Sequence, residues 1–279
     1  MKISSVAYDP VKYKQDSMES WTKRAYDYHT GWAGAGKGPF RSTAELAKAA
    51  LIQKNHFVLD LACGTGAVSA EAARYLGPSG RLVGLDFARG ALKIARSHAP
   101  SGGFVVMDAE HIGLRGGFDR VLCQYALMFF TDPGKVLTRL KSLLKNGGMI
   151  ALAVHGAAEG VPYFSTIMEP VLKRIPDIRP PGTPTVHRFG NAADLENVLA
   201  KADFGNIRIR KFTFSYGAGT FEQYWQDYLS TTAAAIRAKI ESDSAVAAIK
   251  EEARLRVARF AKGSKIEFPW DVLIATATA

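Results

Sequence analysis

The chain predicts an α/β fold, and three observations carry that expectation. Short apolar runs of strand length recur between residues 57 and 154. Most are followed by segments whose apolar residues return at the three- and four-residue spacing of one helix face. The first run, residues 58–66, reads Val-Leu-Asp-Leu-Ala-Cys-Gly-Thr-Gly, so a buried strand ends in a loop of small residues and leads at once into a helix. Such a loop lets backbone approach a ligand closely and aims the free N–H groups of a helix N-terminus at an anion, which are the parts of a nucleotide-type site. At 279 residues the chain is long enough for one core with elaborations, and a single domain is expected.

Residues 1–50 form a helical preface: Trp21, Arg24 and Tyr28 fall at one-turn spacing, and residues 44–51 make a second helical run. Residues 31–39, Gly-Trp-Ala-Gly-Ala-Gly-Lys-Gly-Pro, are too rich in glycine for a stable element. Trp32 there is either a lid residue on a mobile loop or an anchor of that loop on the core. After the first strand, a helix from Val68 carries Ala72, Tyr75 and Leu76 on one face. Strand 81–86 and helix 88–99 follow, with Leu92, Ala95 and Ala99 on one face, and then strands 104–107 and 118–124. Asp132 as N-cap and Pro133 as first residue open a helix buried through Val136, Leu137, Leu140, Leu143 and Leu144. Asn146-Gly147-Gly148 closes it ahead of strand 149–154, which completes a core at 51–155. Residues 156–190 hold six prolines and read as a loop-rich insertion on the substrate side. Asn191 caps a helix to Ala202, and residues 205–216 alternate as a sixth strand. Residues 217–263 are a second, mostly helical insertion with Trp225 and Tyr228, and residues 264–279 close the chain as a last strand with Pro269 near its edge or start.

The acids decide what the loop holds. Asp60 lies inside the end of the first strand, four residues before Gly64, where a dinucleotide fold would carry an apolar residue, and it suits a cationic ligand. Gly64-x-Gly66-x-x then reaches Ser69, so the last glycine of the dinucleotide fingerprint is missing. Asp86 ends the second strand 20 residues beyond Gly66, where a carboxylate can accept two ribose hydroxyl protons at once. Asp108 ends the third strand, as a further ligand-facing acid or as a cap of the following turn. Three acids at three successive strand ends are more than capping asks for.

Together with Leu-Met-Phe-Phe-x-Asp-Pro after strand 118–124 and Gly-Gly before strand 149–154, these residues resemble the class I S-adenosylmethionine-dependent methyltransferases. The resemblance is closest to their type 11 branch, the ubiquinone and menaquinone C-methyltransferase-like proteins, and covers about residues 57–154. The family's acid-x-Gly-x-Gly-x-Gly motif becomes Asp60-Leu61-Ala62-Cys63-Gly64-Thr65-Gly66, with Ala62 departing at the first glycine. The resemblance implies a Rossmann-like sheet of seven strands, mostly parallel with an antiparallel last strand and helices on both faces. The preface and the insertions would fold over the site as a lid. It implies contacts to S-adenosylmethionine, or to the product S-adenosylhomocysteine, from Asp60, Ala62, Cys63, Gly64, Gly66 and Asp86. Phe87 would lie on the adenine face, Asp108 and Ala109 at the adenine edge, and Gln124 and Tyr125 near the methyl.

Composition narrows the partners. The 36 basic and 26 acidic residues give +10, shared as 20 against 13 over residues 1–160 and 16 against 13 over residues 161–279, with no dense basic block. Arg208, Arg210 and Lys211 cluster most tightly, but the arginines alternate with Ile207 and Ile209, as on a solvated strand face. No run approaches the ~18 apolar residues of a membrane span. The start lacks the apolar core of a signal peptide, so a cytoplasmic protein is expected. Cys63 and Cys123 each fall in an apolar segment, and neither a disulfide framework nor a metal site is expected.

In-line attack on a sulfonium methyl asks for orientation more than for acid–base chemistry. His155, at the end of strand 149–154, is the candidate catalytic base or else a structural histidine, and His187 beside Arg188-Phe189 is a weaker candidate. The expected acceptor is a small apolar or aromatic metabolite, suited to Trp32, Tyr163, Phe164, Phe189, Trp225 and Tyr228, with O-, N- and C-methylation all open. A nucleic-acid methyltransferase is disfavoured by Gln124-Tyr125-Ala126-Leu127, which stands where amino-methylating enzymes carry Asn/Asp-Pro-Pro-aromatic, and by the absence of a Pro-Cys pair at Cys123. The other readings are a cofactor-binding regulator without catalysis and, most distantly, an NAD-dependent oxidoreductase.

Overall fold

One sheet organises the chain. The computed structural model describes residues 6–34, 36–234 and 236–279; the first five residues, part of the start expected to lack a signal peptide, and Ala35 of the glycine-rich segment lie outside them. The strands are β1 Phe57–Leu61, β2 Arg81–Asp86, β3 Gly103–Val106, β4 Phe118–Gln124, β5 Leu144–His155, β6 Gly205–Gly219, β7 Ala261–Lys262 and β8 Lys265–Thr278. Their spatial order is β3-β2-β1-β4-β5-β8-β6, with the two-residue β7 paired to β8. β1 to β5 run parallel, and β8 inserts antiparallel between β5 and β6. The expected seven strands and antiparallel last strand are therefore present, with β7 added. Val58, Leu59 and Leu61 of β1 are fully buried, as a parallel strand covered on both faces requires.

The helices are α1 Pro10–Lys23, α2 Ala25–Tyr28, α3 Thr43–Ala49, α4 Ala67–Ala73, α5 Arg89–His98, α6 Pro133–Leu143, α7 Pro162–Arg174, α8 Ala192–Lys201, α9 Phe221–Ser230, α10 Arg237–Ser242 and α11 Val246–Val257. α3, α4 and α5 pack side by side in one layer, α6 packs on α8 in another, and α1 and α2 lie on α5. Asp132 caps α6 by accepting from Lys135 N at 3.0 Å, and Asn191 caps α8 through Ala193 N at 2.9 Å, as their positions in the sequence foretell. Among the described residues, no helix is long and apolar enough to cross a membrane.

Five expectations need correction. The proline-rich stretch 156–190 contains the 13-residue helix α7, because Pro162 occupies its first position and Tyr163, Phe164, Ile167 and Val171 form a buried face. The glycine-rich stretch holds a π-helical turn, His29–Ala33, and a 3-10 turn, Gly38–Ser42. Trp32 is an anchor there, buried at 5% exposure against Tyr163, Tyr216 and Trp270. α4 ends at Ala73, leaving Tyr75 exposed. Asn146-Gly147-Gly148 falls inside β5, where the register with β4 slips between Phe118 and Arg120. Pro269 sits mid-strand in β8, opposite Ser215, but β5 has already ended at the His155–Val272 pair, so one side of the strand is locally an edge.

Candidate functional site

The strand order reverses between β1 and β4, and a cleft opens outside the carboxyl ends of the strands there. It encloses about 1180 Å³ of open space, part of it continuous with solvent. Ten of the eleven expected ligand contacts line it; Gly66, at the start of α4, stands just behind.

β1 delivers Asp60, buried at 1% exposure, whose Oδ2 accepts from Ser69 Oγ of α4 at 2.6 Å. Burial pushes its pKa up to about 7, with the Ser69 hydrogen bond opposing and the Asp86 charge adding. The loop then alternates through left-handed residues: Ala62 at φ 52°, Gly64 at φ 53° and Gly66 at φ 84°. Ala62 thus holds a conformation that glycine reaches freely, at a cost of about 1–2 kcal/mol. A Cβ on Gly66 would come within 3.1 Å of Ala95 Cα, so this glycine sets how closely α4 approaches α5. Cys63 donates its N–H to Leu85 O and packs on Leu92, Ala95 and Phe104, while burial raises its thiol pKa and keeps it protonated.

β2 delivers Asp86, whose Oδ2 accepts from Gly64 N at 2.8 Å and whose Oδ1 accepts from Ala88 N at 2.7 Å. Burial raises its pKa against those two bonds. An ionised carboxylate has about four acceptor positions, so two stay available to ligand hydroxyls. Phe87 lines the cleft and packs with Trp21 and Ala25 of the preface. Asp108, beyond β3, receives Lys14 Nζ at 2.6 Å, His111 Nδ1 at 2.7 Å and Glu110 N at 2.9 Å. Burial raises its pKa, but the Lys14 and His111 hydrogen bonds outweigh it and the net shift is downward. Lys14 Nζ also reaches Glu110 at 2.7 Å, and Glu110 in turn accepts from Asp132 N at 2.8 Å. Ala109 is buried beside them.

At the end of β4, Gln124 is held at both ends of its amide: Oε1 accepts from Thr43 Oγ1 at 3.0 Å and Nε2 donates to Ser42 Oγ at 2.9 Å. The Tyr125 hydroxyl lies 2.7 Å from Ser42 Oγ and 2.9 Å from Pro39 O, and its backbone is left-handed at φ 57°. A bulky residue rarely adopts that conformation, and such outliers concentrate at functional sites.

Residues 52–175 match the family described as "Methyltransferase domain". Over 167 residues the chain is 31% identical to the aklanonic acid methyltransferase DauC of Streptomyces sp. (strain C5), an overlap of 54% of this chain and 76% of the relative. The chain belongs to the S-adenosylmethionine-dependent methyltransferases. It is also 33% identical over 106 residues to the ubiquinone/menaquinone biosynthesis C-methyltransferase UbiE of Pasteurella multocida, covering 36% of this chain and only 40% of that relative. In fold it is similar to phosphoethanolamine N-methyltransferase 2 of Haemonchus contortus, solved with phosphomonomethylethanolamine and S-adenosylhomocysteine, at a TM-score of 0.55 and 18% identity over 91% of this chain and 56% of that one.

The methyltransferase completes its cleft with residues that the sequence motifs leave out. Tyr13, Lys14, Ser17 and Trp21 come from α1, Tyr28 from α2 and Phe40 from the 3-10 turn, and they join Phe129, Phe130 and Thr131 of the Leu-Met-Phe-Phe-x-Asp-Pro motif after β4. For the preface residues, only the one-turn spacing of Trp21, Arg24 and Tyr28 signals any of this in the sequence. His155 is not among the lining residues: it lies behind Tyr125, ring against ring at 4.2 Å, packed on Phe164 and Trp270. Burial drives its pKa well below the usual histidine value, so it is a neutral ring closed off from the cleft. His187 is likewise outside, its Nδ1 paired with Gly156 O at 2.8 Å. The structure therefore does not bring the expected base to the site.

Proposed function

We propose that this methyltransferase moves the methyl of S-adenosylmethionine to a small apolar or aromatic acceptor. The observation that carries the reading is the aromatic lining of the cleft, to which Tyr13, Trp21, Tyr28, Phe40, Phe129 and Phe130 all contribute, Trp21, Tyr28 and Phe40 in ring-to-ring contact. Lys14 is the sole cation among the described lining residues, and it is bonded to Asp108 and Glu110. A phosphate backbone has nothing there to pair with, whereas a planar apolar body buries well against aromatic rings. The names of both curated relatives, aklanonic acid methyltransferase and ubiquinone/menaquinone biosynthesis C-methyltransferase, agree with a small organic acceptor.

The residues present fit the cofactor. Asp86 keeps acceptor positions for ribose hydroxyls, Phe87 and Ala109 offer flat apolar contact to adenine, and Asp108 offers a carboxylate to its amine. Asp60 and the loop of Ala62, Cys63, Gly64 and Gly66 serve the amino-acid end, and Gln124 and Tyr125 face the methyl. When bound, the cofactor supplies an electrophilic methyl on a cationic sulfur. With no histidine among the described lining residues and Lys14 ion-paired, the chain contributes orientation and exclusion of water. Transfer of labelled methyl to a panel of phenols, quinols and aromatic acids, run beside bulk RNA and DNA, tests this. Incorporation into nucleic acid alone refutes the small-molecule reading, and cofactor binding without transfer to any acceptor favours a regulatory protein.

A further inference from the structure

Tyr125 is fixed on three sides. Its hydroxyl is tied to Ser42 Oγ and Pro39 O, its backbone is left-handed, and one ring face is covered by His155 at 4.2 Å with the planes 13° apart. Phe40 meets the ring edge-to-face at 6.2 Å. Yet Tyr125 lines the cleft while His155 does not, so Tyr125 stands between that histidine and the ligand space. A phenol whose hydroxyl is already spent on Ser42 and Pro39 has one thing to offer a ligand there, the negative face of its π system.

Resting on the reading that the end of β4 faces the methyl, we propose that this free face of Tyr125 recognises the positive charge of the sulfonium, and so separates S-adenosylmethionine from its neutral thioether product. A cation within about 6 Å of an aromatic centroid is attracted by the ring quadrupole, most strongly where water is excluded. Methyl transfer leaves the carbon–sulfur electron pair on sulfur and removes that charge, so the same surface holds the substrate form and lets the product form go. The cleft carboxylates have other assignments: Asp60 is bonded to Ser69, and Asp86 and Asp108, bonded to Gly64 and Ala88 and to Lys14 and His111, turn what acceptor capacity remains to ribose and adenine. The neutral His155 ring suits its place behind Tyr125, since a cation there would compete for the same π electrons. Ser42 and His155 are accordingly positioning residues: the Ser42 hydrogen bond and the His155 stack hold the ring in place rather than contact the ligand.

The test is calorimetric titration of the whole protein with S-adenosylmethionine and with S-adenosylhomocysteine. Tyr125→Leu is expected to weaken the sulfonium ligand roughly tenfold more than the thioether, about 1.4 kcal/mol of selective loss. Tyr125→Phe keeps the ring and is expected to keep the ratio of the two affinities within about twofold. Tyr125→trifluorophenylalanine preserves ring shape while draining the π face, and is expected to lower the ratio even if the leucine variant fails to fold. Equal weakening of both ligands by Tyr125→Leu, or a ratio indifferent to fluorination, overturns the proposal while leaving the cofactor reading intact. A folded wild-type protein that binds neither ligand overturns the reading on which it rests.

Discussion

Asp60→Asn tests the electrostatics of the cleft through the stability of the fold. Asp60 is buried with hydrogen bonds from the hydroxyl and backbone N–H of Ser69, and its pKa rises from 3.8 to about 7. In the unfolded chain an aspartate is ionised above about pH 4, so between pH 4 and 7 the folded state holds a proton that the unfolded state has lost. The stability belonging to the protonated form is therefore fully present below the unfolded value and is lost as pH rises through about 7. Raising the carboxyl from 3.8 to about 7 corresponds to about 4 kcal/mol of burial penalty once the group is ionised at pH 8.5. At pH 5.5 about half of that, roughly 2 kcal/mol, has been recovered. Asparagine does not titrate, so its stability lacks this component. Urea unfolding of wild type and Asp60→Asn at both pH values isolates the contribution of Asp60 and its coupling to Asp86, because groups remote from them titrate alike in the two proteins. The wild type is expected to lose about 2 kcal/mol more than the variant between pH 5.5 and 8.5. Parallel losses, equal within about 0.5 kcal/mol, would refute the claim that Asp60 is an acid held out of water.

Asp86→Asn should weaken S-adenosylmethionine and S-adenosylhomocysteine alike, by about 100-fold for two lost charge-assisted hydroxyl bonds, with the circular dichroism spectrum unchanged; calorimetry reads it. Gly66→Ala should lower the unfolding free energy by about 2 kcal/mol, since it forces a side chain onto a φ of 84° and within 3.1 Å of Ala95 Cα, and a denaturant midpoint checks it. Lys14→Ala should cost about 1 kcal/mol or less in stability, because its ion pairs are partly exposed. It should nonetheless quicken hydrogen exchange across Pro10–Lys23, which Lys14 ties to Asp108 and Glu110.

The half of the cleft that sequence reveals is the half built from local chain. Asp60, the glycine loop, Asp86 and Asp108 each end a strand, and period and composition place strand ends well because the buried apolar run and the helix start bracket them. Their spacing carries chemistry because parallel strands deliver successive carboxyl ends to one edge of the sheet. The expectations for 31–39 and 156–190 fail for one shared reason. Glycine and proline weaken a helix only in proportion to what packing does not restore, and Trp32 and the Tyr163-Phe164-Ile167-Val171 face bury enough apolar surface to restore it.

The other half of the cleft is assembled at long range, which is why no motif announces it. Ser42 and Thr43 meet Gln124 and Tyr125 across more than 80 residues of sequence, and Arg24 reaches the Thr231 carbonyl across 207. Such contacts leave no period in the sequence. His155 shows the consequence: as a polar residue at a strand's carboxyl end it has the credentials of a base, and only the position of Tyr125, fixed by a turn from the preface, decides that it faces a ring instead of a substrate. The chemistry open to this cleft therefore depends as much on how the preface seats Tyr125 as on the acids at the strand ends. Variation in the preface can change the acceptor while the cofactor residues stay as they are.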